Sequence, residues 1–293
     1  MQSYQNYING SFTPSSSGKT FDRVNPYTGE VWASVAQSDA ADVDKAVAAA
    51  RNAFDSGWAE TKPTERGRLL YKLADLIERD AAHLAEIEVR DNGKLIAEMS
   101  GQTHYMPQWY RYYGGLADKV EGAVIPTDKD GIFNFTRYAP LGVVGMITAW
   151  NSPLLLMTWK VAPALACGNA VVVKPSEETP ATATLLGEVM NEAGVSPGVY
   201  NVVLGFGPGS AGELLARHPD VNAVTFTGET TTGASIMKSV ADDIKDVSFE
   251  LGGKNPGIVF ADADLDQALE GTMRSAFANC GQVCLSTERL YVE

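Results

Sequence analysis

Ala170-Val-Val-Val-Lys-Pro-Ser-Glu177 decides how this chain folds. Its valines are continuous rather than alternating with polar residues, which predicts a strand buried on both faces and hence a sheet with helices on each side. Further β-rich runs occur at similar spacing, at Val143 to Thr148, Tyr200 to Leu204, Ala223 to Phe226 and Val247 to Leu251. Helical stretches lie between them, at 179–193, 209–218 and 230–241. Alternation of this kind is the pattern of an α/β fold with a doubly wound parallel sheet. Such sheets bind ligands outside the carboxyl ends of their strands, so the residues that follow the β runs are the first candidates for a site.

Upstream of residue 141 the rhythm differs. Tyr7-Ile-Asn-Gly-Ser-Phe12 predicts a tight hairpin, after which the first third of the chain reads as helical. Val43, Ala46, Val47, Ala50 and Phe54 mark one amphipathic helix. A second begins near Pro63, carries Leu69, Leu73, Leu76 and Ile77, and stops around Asn92-Gly93. An aromatic-rich helix is expected from about His104 to Lys119. Ile132, Phe133, Phe135 and Tyr138 form a strand-like stretch that reads as part of a protruding arm. The expected organisation is a helical part over 1–123, an arm strand over 124–140, a Rossmann-like core over 141–251 and the start of a second α/β domain over 252–293.

The chain has 293 residues, 45% of them hydrophobic and 20% charged, an ordinary globular composition. A formal net charge of −13 and the lack of any Lys/Arg run oppose binding to nucleic acid or to an anionic membrane surface. Cys167, Cys280 and Cys284 are too few for a disulfide framework, and the first residues show no targeting pattern, so a reducing cytoplasm is expected. Cys280 and Cys284 are spaced to share a helix face. His83, His104 and His218 are scattered and do not complete a zinc set, so no metal is expected. The apolar stretch from Leu141 to Val173 is interrupted by Asn151, Pro153, Lys160, Pro163 and Gly168, which suits buried strands and a buried helix better than a membrane span.

Several motifs sit where the strands end. Gly205-Phe-Gly-Pro-Gly-Ser-Ala-Gly212 has the glycine spacing of a dinucleotide turn at Gly207, Gly209 and Gly212, although strand-to-helix turns recruit glycine for positive φ alone. Phe226-Thr-Gly-Glu-Thr-Thr-Thr-Gly233 is a second candidate, with free N–H groups and a helix dipole for a pyrophosphate. Its Glu229 would repel a phosphate unless it points outward, and equally reads as an acid stabilising a helix start. Lys174 and Glu177 can reach one ribose, and an acid there favours NAD over NADP. Asn151, in Trp150-Asn-Ser-Pro153, can donate to an oxyanion or form a turn. Tyr105, Trp109, Tyr112, Tyr113 and Trp159 read as tunnel lining or as core. Cys284 is a candidate nucleophile and Glu250 a candidate base, against the plain reading of a free cysteine as a small hydrophobe.

Taken in order, Trp150-Asn151, Lys174-Pro-Ser-Glu177, the two glycine turns, Glu250-Leu-Gly-Gly-Lys-Asn-Pro256 and Gly281-Gln-Val-Cys284 closely resemble the aldehyde dehydrogenase superfamily. The resemblance runs from about Asn6 to the last residue. It implies a pyrophosphate over Gly228, Thr230 and Gly233 rather than over the Gly207 turn. It further implies NAD contacts from Trp150, Lys174, Glu177, Gly207, Leu251 and Gly252, with NAD preferred because of Glu177. Asn151 would join the Cys284 N–H in an oxyanion hole, Cys284 would attack the aldehyde, and Glu250 would activate water to hydrolyse the thioester. Lys160 would help poise the thiol. Tyr105, Ser152, Leu155, Trp159, Val283 and Leu285 would line the substrate tunnel.

A homodimer or homotetramer is the family expectation. The Phe-Thr-Gly-Glu turn with Cys-Gly-Gln-Val-Cys-Leu-Ser-Thr-Glu-Arg leans toward the branch acting on hydroxymuconic-type semialdehydes. A substrate with its own carboxylate would want an arginine in the tunnel, and Arg111 and Arg137 are the nearest candidates. Subunits of the family continue well beyond the catalytic cysteine, so the expectation is an N-terminal portion whose missing remainder completes the pocket. The alternative is a non-catalytic NAD-binding or structural protein on the same scaffold.

Overall fold

The structure, a computed structural model, describes residues 1–293. It opens with β1 (Gln2–Tyr4), β2 (Asn6–Ile8), β3 (Ser11–Thr13), β4 (Thr20–Val24) and β5 (Val31–Ala36), followed by α1 (Ala40–Ala53), α2 (Pro63–Asn92) and α3 (Ile96–Leu116). β6 (Val124–Ile125) and β7 (Asn134–Phe135) form a small exposed hairpin. Strands and helices then alternate: β8 (Val143–Ile147), α4 (Pro153–Ala166), β9 (Ala170–Lys174), α5 (Ala181–Ala193), β10 (Tyr200–Val202), α6 (Ala211–Arg217), β11 (Ala223–Thr227), α7 (Thr230–Val240) and β12 (Asp246–Glu250). β13 (Pro256–Val259), α8 (Leu265–Gly281) and β14 (Arg289–Val292) close the chain as a separate β-α-β unit with a parallel strand pair.

The main sheet has the order β12-β11-β8-β9-β10-β2-β3, with β8 to β12 mutually parallel. Chain order reverses at β8: β9 and β10 lie on one side, β11 and β12 on the other. The crevice at such a reversal is where open α/β sheets hold ligands. The far edge is antiparallel, because the Tyr7 hairpin adds β2 and β3 beside β10. Asn9 and Gly10 both take positive φ in that hairpin's turn, as a two-residue connection requires.

The valines of β9 divide between two cores. Val171 and Val173 pack with α2, α4 and α5, while Val172 packs with α1 and α6. α2 buries Leu70, Leu73, Ile77 and Leu84, each worth roughly 1.5–3 kcal/mol of transfer. Two expectations change. The first 36 residues are not a lone hairpin before helices, since β1, β5 and β4 form a second sheet over α2; the period-two pattern of Val31, Ala33 and Val35 was its signal. α3 starts at Ile96 rather than near His104. Ser100 and Gly101 are weak helix formers, yet burial of Met99, Thr103 and Met106 along one face carries the helix through them and through Pro107.

α4 and α5 start without a side-chain cap of their own. The last turns of α2 supply both. Glu88 Oε1 accepts from Leu154 N at 2.7 Å and Thr182 Oγ1 at 3.2 Å, and Asp91 Oδ2 accepts from Ala181 N at 3.0 Å. Burial pushes the Glu88 carboxyl up to about 7 despite these bonds, and burial likewise raises Asp91 to about 7. A carboxyl whose folded value lies above its unfolded one binds more protons when folded, so these groups withdraw stability as pH rises from about 4 toward 7. Glu88→Gln keeps an acceptor for Leu154 and removes one such proton. Its unfolding free energy relative to wild type should therefore rise by on the order of 2 kcal/mol between about pH 5 and pH 8. Urea unfolding at several pH values measures this, and a constant difference would place the proton elsewhere.

Candidate active site

β8 ends in Thr148-Ala-Trp-Asn151, which turns directly into α4. α8 runs out at Phe277, where Ala278 becomes extended and Asn279 and Cys280 take left-handed φ of 56° and 57°. Cys280 and Cys284 therefore do not share a helix face: the regular helix ends before both, Cys280 is itself left-handed, and Cys284 sits in the turn that follows Gln282. The two loops meet. Asn151 Nδ2 donates to the Gln282 carbonyl at 2.9 Å, two residues before Cys284, and Asn279 Nδ2 donates back to the Asn151 carbonyl at 3.0 Å. Cys284 is half-buried, and its carbonyl accepts from Asn255 Nδ2, which also holds the Ser286 carbonyl at 3.0 Å.

Glu250 ends β12 opposite Thr227 of β11. Along β12 the residues alternate, with Val247 and Phe249 against the α7 core and Ser248 and Glu250 exposed on the other face. That face is bare because α6 and α7 both cross behind the sheet. It forms a groove of about 500 Å³ between β12 and α4, lined by Thr225, Thr227, Ser248, Glu250, Trp159 and Lys160. Lys160 Nζ donates to Thr225 Oγ1 at 2.9 Å. Burial lowers the Lys160 ammonium to about 8, and the Glu250 carboxylate opposes that shift. Lys160 thus stands beside the acid, and Cys284 does not itself line the groove.

The two glycine turns, alternatives in the sequence, line one cavity of about 270 Å³. Gly207, Gly212 and Glu213 form its α6 side, and Thr231, Thr232 and Ser235 its α7 side. Gly233 lies so near Leu251 that a Cβ would meet Leu251 Cδ2 at 2.9 Å, which brings the start of α7 down onto the strand end. Glu229 caps α7 in position only: its side chain is exposed and makes no capping bond, leaving the first N–H groups of the helix free. Thr230 is exposed beside it, and Gly252 has open space around it. Gly228 N–H is occupied by the Glu250 carbonyl at 3.0 Å. At the next strand end Lys174, almost fully buried, pairs with Glu177 at 2.8 Å. Burial raises Glu177 and its pairing with Lys174 outweighs this, so the carboxyl lies below its ordinary value.

The aldehyde dehydrogenase family profile matches residues 12–293. The chain belongs to the aldehyde dehydrogenase family. It is 53% identical to 2-hydroxymuconic semialdehyde dehydrogenase of Pseudomonas sp. strain CF600 and 48% identical to 2-aminomuconic 6-semialdehyde dehydrogenase of Pseudomonas sp., in each case over its whole length. It spans 61% and 60% of those two proteins. Among solved structures, betaine aldehyde dehydrogenase of Staphylococcus aureus with NAD+ superimposes over all of this chain and 60% of its own, with TM-score 0.97 at 38% identity. A Bacillus cereus aldehyde dehydrogenase variant does so with TM-score 0.96 at 44% identity, again over 60% of its own chain.

Within this family member, the expected tunnel residues fall into two groups. Trp159 packs edge-on against Trp109 at 5.8 Å, and Tyr105 against Trp109 at 6.0 Å, forming an aromatic ridge where α3 meets α4; among the aromatic residues of α3 only Tyr110 is fully buried. Ser152 is buried beside Asn279, and Leu155 packs on the core. Val283 and Leu285 instead line a cavity of about 300 Å³ against Arg274 and Ser275 of α8, apart from the ridge. Arg111 is bound to Asp75 and Glu78 on α2, so its guanidinium is not turned toward the site. Trp150 is exposed, with the Lys94 ammonium 6.0 Å from its ring centre. Lys94, Gln102 and Asn279 were not picked out from sequence; the left-handed Asn before Cys-Gly was their one local signal. If the close approach of α7 matters, Gly233→Ala should lower the thermal midpoint by a few degrees. Gly233→Ala/Leu251→Ala should lose less than the sum of the single losses, since the second change removes the clash.

Proposed function

We propose that the chain carries out the NAD-dependent oxidation of an aldehyde to its carboxylic acid, by way of a thioester on Cys284. The observation that carries this reading is the bond from the Asn151 amide to the Gln282 carbonyl, which ties a strand-end donor to the loop that bears the cysteine. The second hydrogen of the same amide is then available, together with the Cys284 N–H, for an aldehyde oxygen as it becomes an oxyanion.

The Cys284 thiolate adds to the aldehyde carbon and the two donors stabilise the tetrahedral adduct. NAD+, when bound, supplies the acceptor for the hydride that leaves this carbon. The residues present fit it. Lys174 and Glu177 stand where a ribose would be gripped, the Gly207 to Thr232 cavity lies between two helix starts, and the uncapped N–H groups of α7 suit a pyrophosphate. Trp150, Leu251 and Gly252 border the same strand ends. An ionised Glu177 favours free ribose hydroxyls over a 2′-phosphate, hence NAD over NADP.

Collapse of the adduct leaves a thioester on Cys284. Glu250 takes a proton from water, the hydroxide attacks the thioester carbonyl, and the acid departs as the thiolate is restored. Lys160, in the same groove, holds positive charge near Glu250. The substrate proposed is a 2-hydroxymuconic-type semialdehyde, supported by the 53% identical relative of that name and by the aromatic ridge, which suits a planar unsaturated chain. A homodimer or homotetramer built through the 124–140 hairpin is proposed for the assembled protein.

Two measurements test this. With a panel of aldehydes, Cys284→Ala should abolish NADH formation while leaving NAD+ binding, followed by fluorescence, within about twofold; NADH from Cys284→Ala would end the proposal. Glu250→Gln should keep a first burst of NADH and lose at least about 10²-fold in steady turnover, because the thioester forms and is not hydrolysed. In competition, Glu177→Gln should narrow the preference for NAD over NADP by about tenfold.

A further inference from the structure

We propose that Asn279 is the positioning residue of the oxyanion hole, setting the distance between the Asn151 amide and the Cys284 N–H. This rests on the catalytic reading above. Asn279 is buried, and every polar group it carries is engaged. Its Nδ2 reaches the Asn151 carbonyl at 3.0 Å, the Gln282 carbonyl at 3.2 Å and Ser152 Oγ at 3.3 Å. Its Oδ1 accepts from Gln102 Nε2 at 3.3 Å, its N–H donates to Glu98 Oε1 at 2.7 Å, and its carbonyl accepts from Lys94 Nζ at 2.9 Å.

The amide's orientation is fixed by chemistry, because two backbone carbonyls face one end and accept only from the NH2 side. The Gln282 carbonyl is thus held from two directions, by Asn151 and by Asn279, while Asn279 also holds the main chain of Asn151. The two hole donors are built on different loops, at 151 and 284, and this one side chain bonds to both loops. α3 and its lead-in residue Lys94 anchor it from behind. The left-handed φ of 56° is one that Asn tolerates better than other side chains, and one that glycine adopts freely. Asn279→Gly therefore deletes the amide without straining the turn.

The test separates thiol reactivity from oxyanion stabilisation. Iodoacetamide alkylates Cys284 by displacing iodide and develops no oxyanion. A p-nitrophenyl ester acylates it through a tetrahedral oxyanion and releases p-nitrophenolate, with no oxidation and no need for NAD+. Both rates are followed at Cys284 by mass spectrometry from pH 6 to 9, with NAD+ binding and the thermal midpoint as checks on folding.

Asn279→Gly should slow acylation about 30-fold while alkylation changes less than about threefold and keeps its pH midpoint. Gln102→Leu, which frees Oδ1 without touching the turn, should slow acylation about fivefold. Combined with Asn151→Ala, Asn279→Gly should lose far less than the product of the single losses. Equal loss of both reactions, unchanged acylation, or multiplicative losses would each overturn the inference. An unsubstituted protein whose Cys284 is alkylated but never acylated would instead overturn the catalytic reading, and this inference with it.

Discussion

One stretch of seven residues at the end of α2, from Glu88 to Lys94, holds three of the loops at the candidate site. Glu88 caps α4, the helix that follows Asn151. Asp91 caps α5, the helix that follows Glu177. Lys94 Nζ holds the carbonyl of Asn279 in the Cys284 loop. Each acid is taken out of water, a cost that is offset only because it meets backbone N–H groups at a positive helix end. Removing either would leave buried donors without partners, at roughly 1–3 kcal/mol each. Gly93, left-handed at φ 73°, stops α2 between the two acids and the lysine and turns the chain so that all can face inward.

A consequence is that the strand ends are placed by a helix that contributes no reacting group. Arg23 reinforces the arrangement from the opening sheet, bonding the Asp91 carbonyl at 3.2 Å and pairing with Glu178 at 3.0 Å. Its charge also neutralises part of the buried acid. The first 36 residues thereby act on the site at a distance, through the same turn of α2.

Much of this was legible in the sequence where the signal is local. The continuous valines of β9, the Asn-Gly of the hairpin and the Asn92-Gly93 stop each report on neighbouring residues, and the strand starts and ends they imply agree with the structure to within a residue or two. What was not legible is long-range. The cap on Leu154 comes from a residue 66 positions earlier and that on Ala181 from one 90 positions earlier; Ser152 occupies the cap position of α4 without making a capping bond, and the cap position of α5 holds Pro180, which has no capping side chain. The two glycine turns looked like rivals because a motif is read along the chain, whereas α6 and α7 lie side by side on one face of the sheet and bring the turns that open them to one cavity. Cys280 and Cys284 looked like neighbours on a helix because spacing alone does not show that Asn279 and Cys280 are left-handed.

The division of labour at the strand ends follows from how the sheet is covered. α1, α6 and α7 pack on one face and α2 to α5 on the other, but the second set stops at β8, so β11 and β12 are covered on one side only. Side chains on these strands alternate between a packed face and an open groove. Leu251 turns toward α7 and packs against Gly233, while its neighbour Glu250 turns toward the groove with Lys160. Adjacent residues thus serve opposite faces of the sheet. The peptide plane between them keeps the two side chains apart, and the Gly228 N–H, bonded to the Glu250 carbonyl, ties both to the turn after β11. Moving β12 by one residue would exchange the two faces, turning the acid toward α7 and the leucine toward the groove.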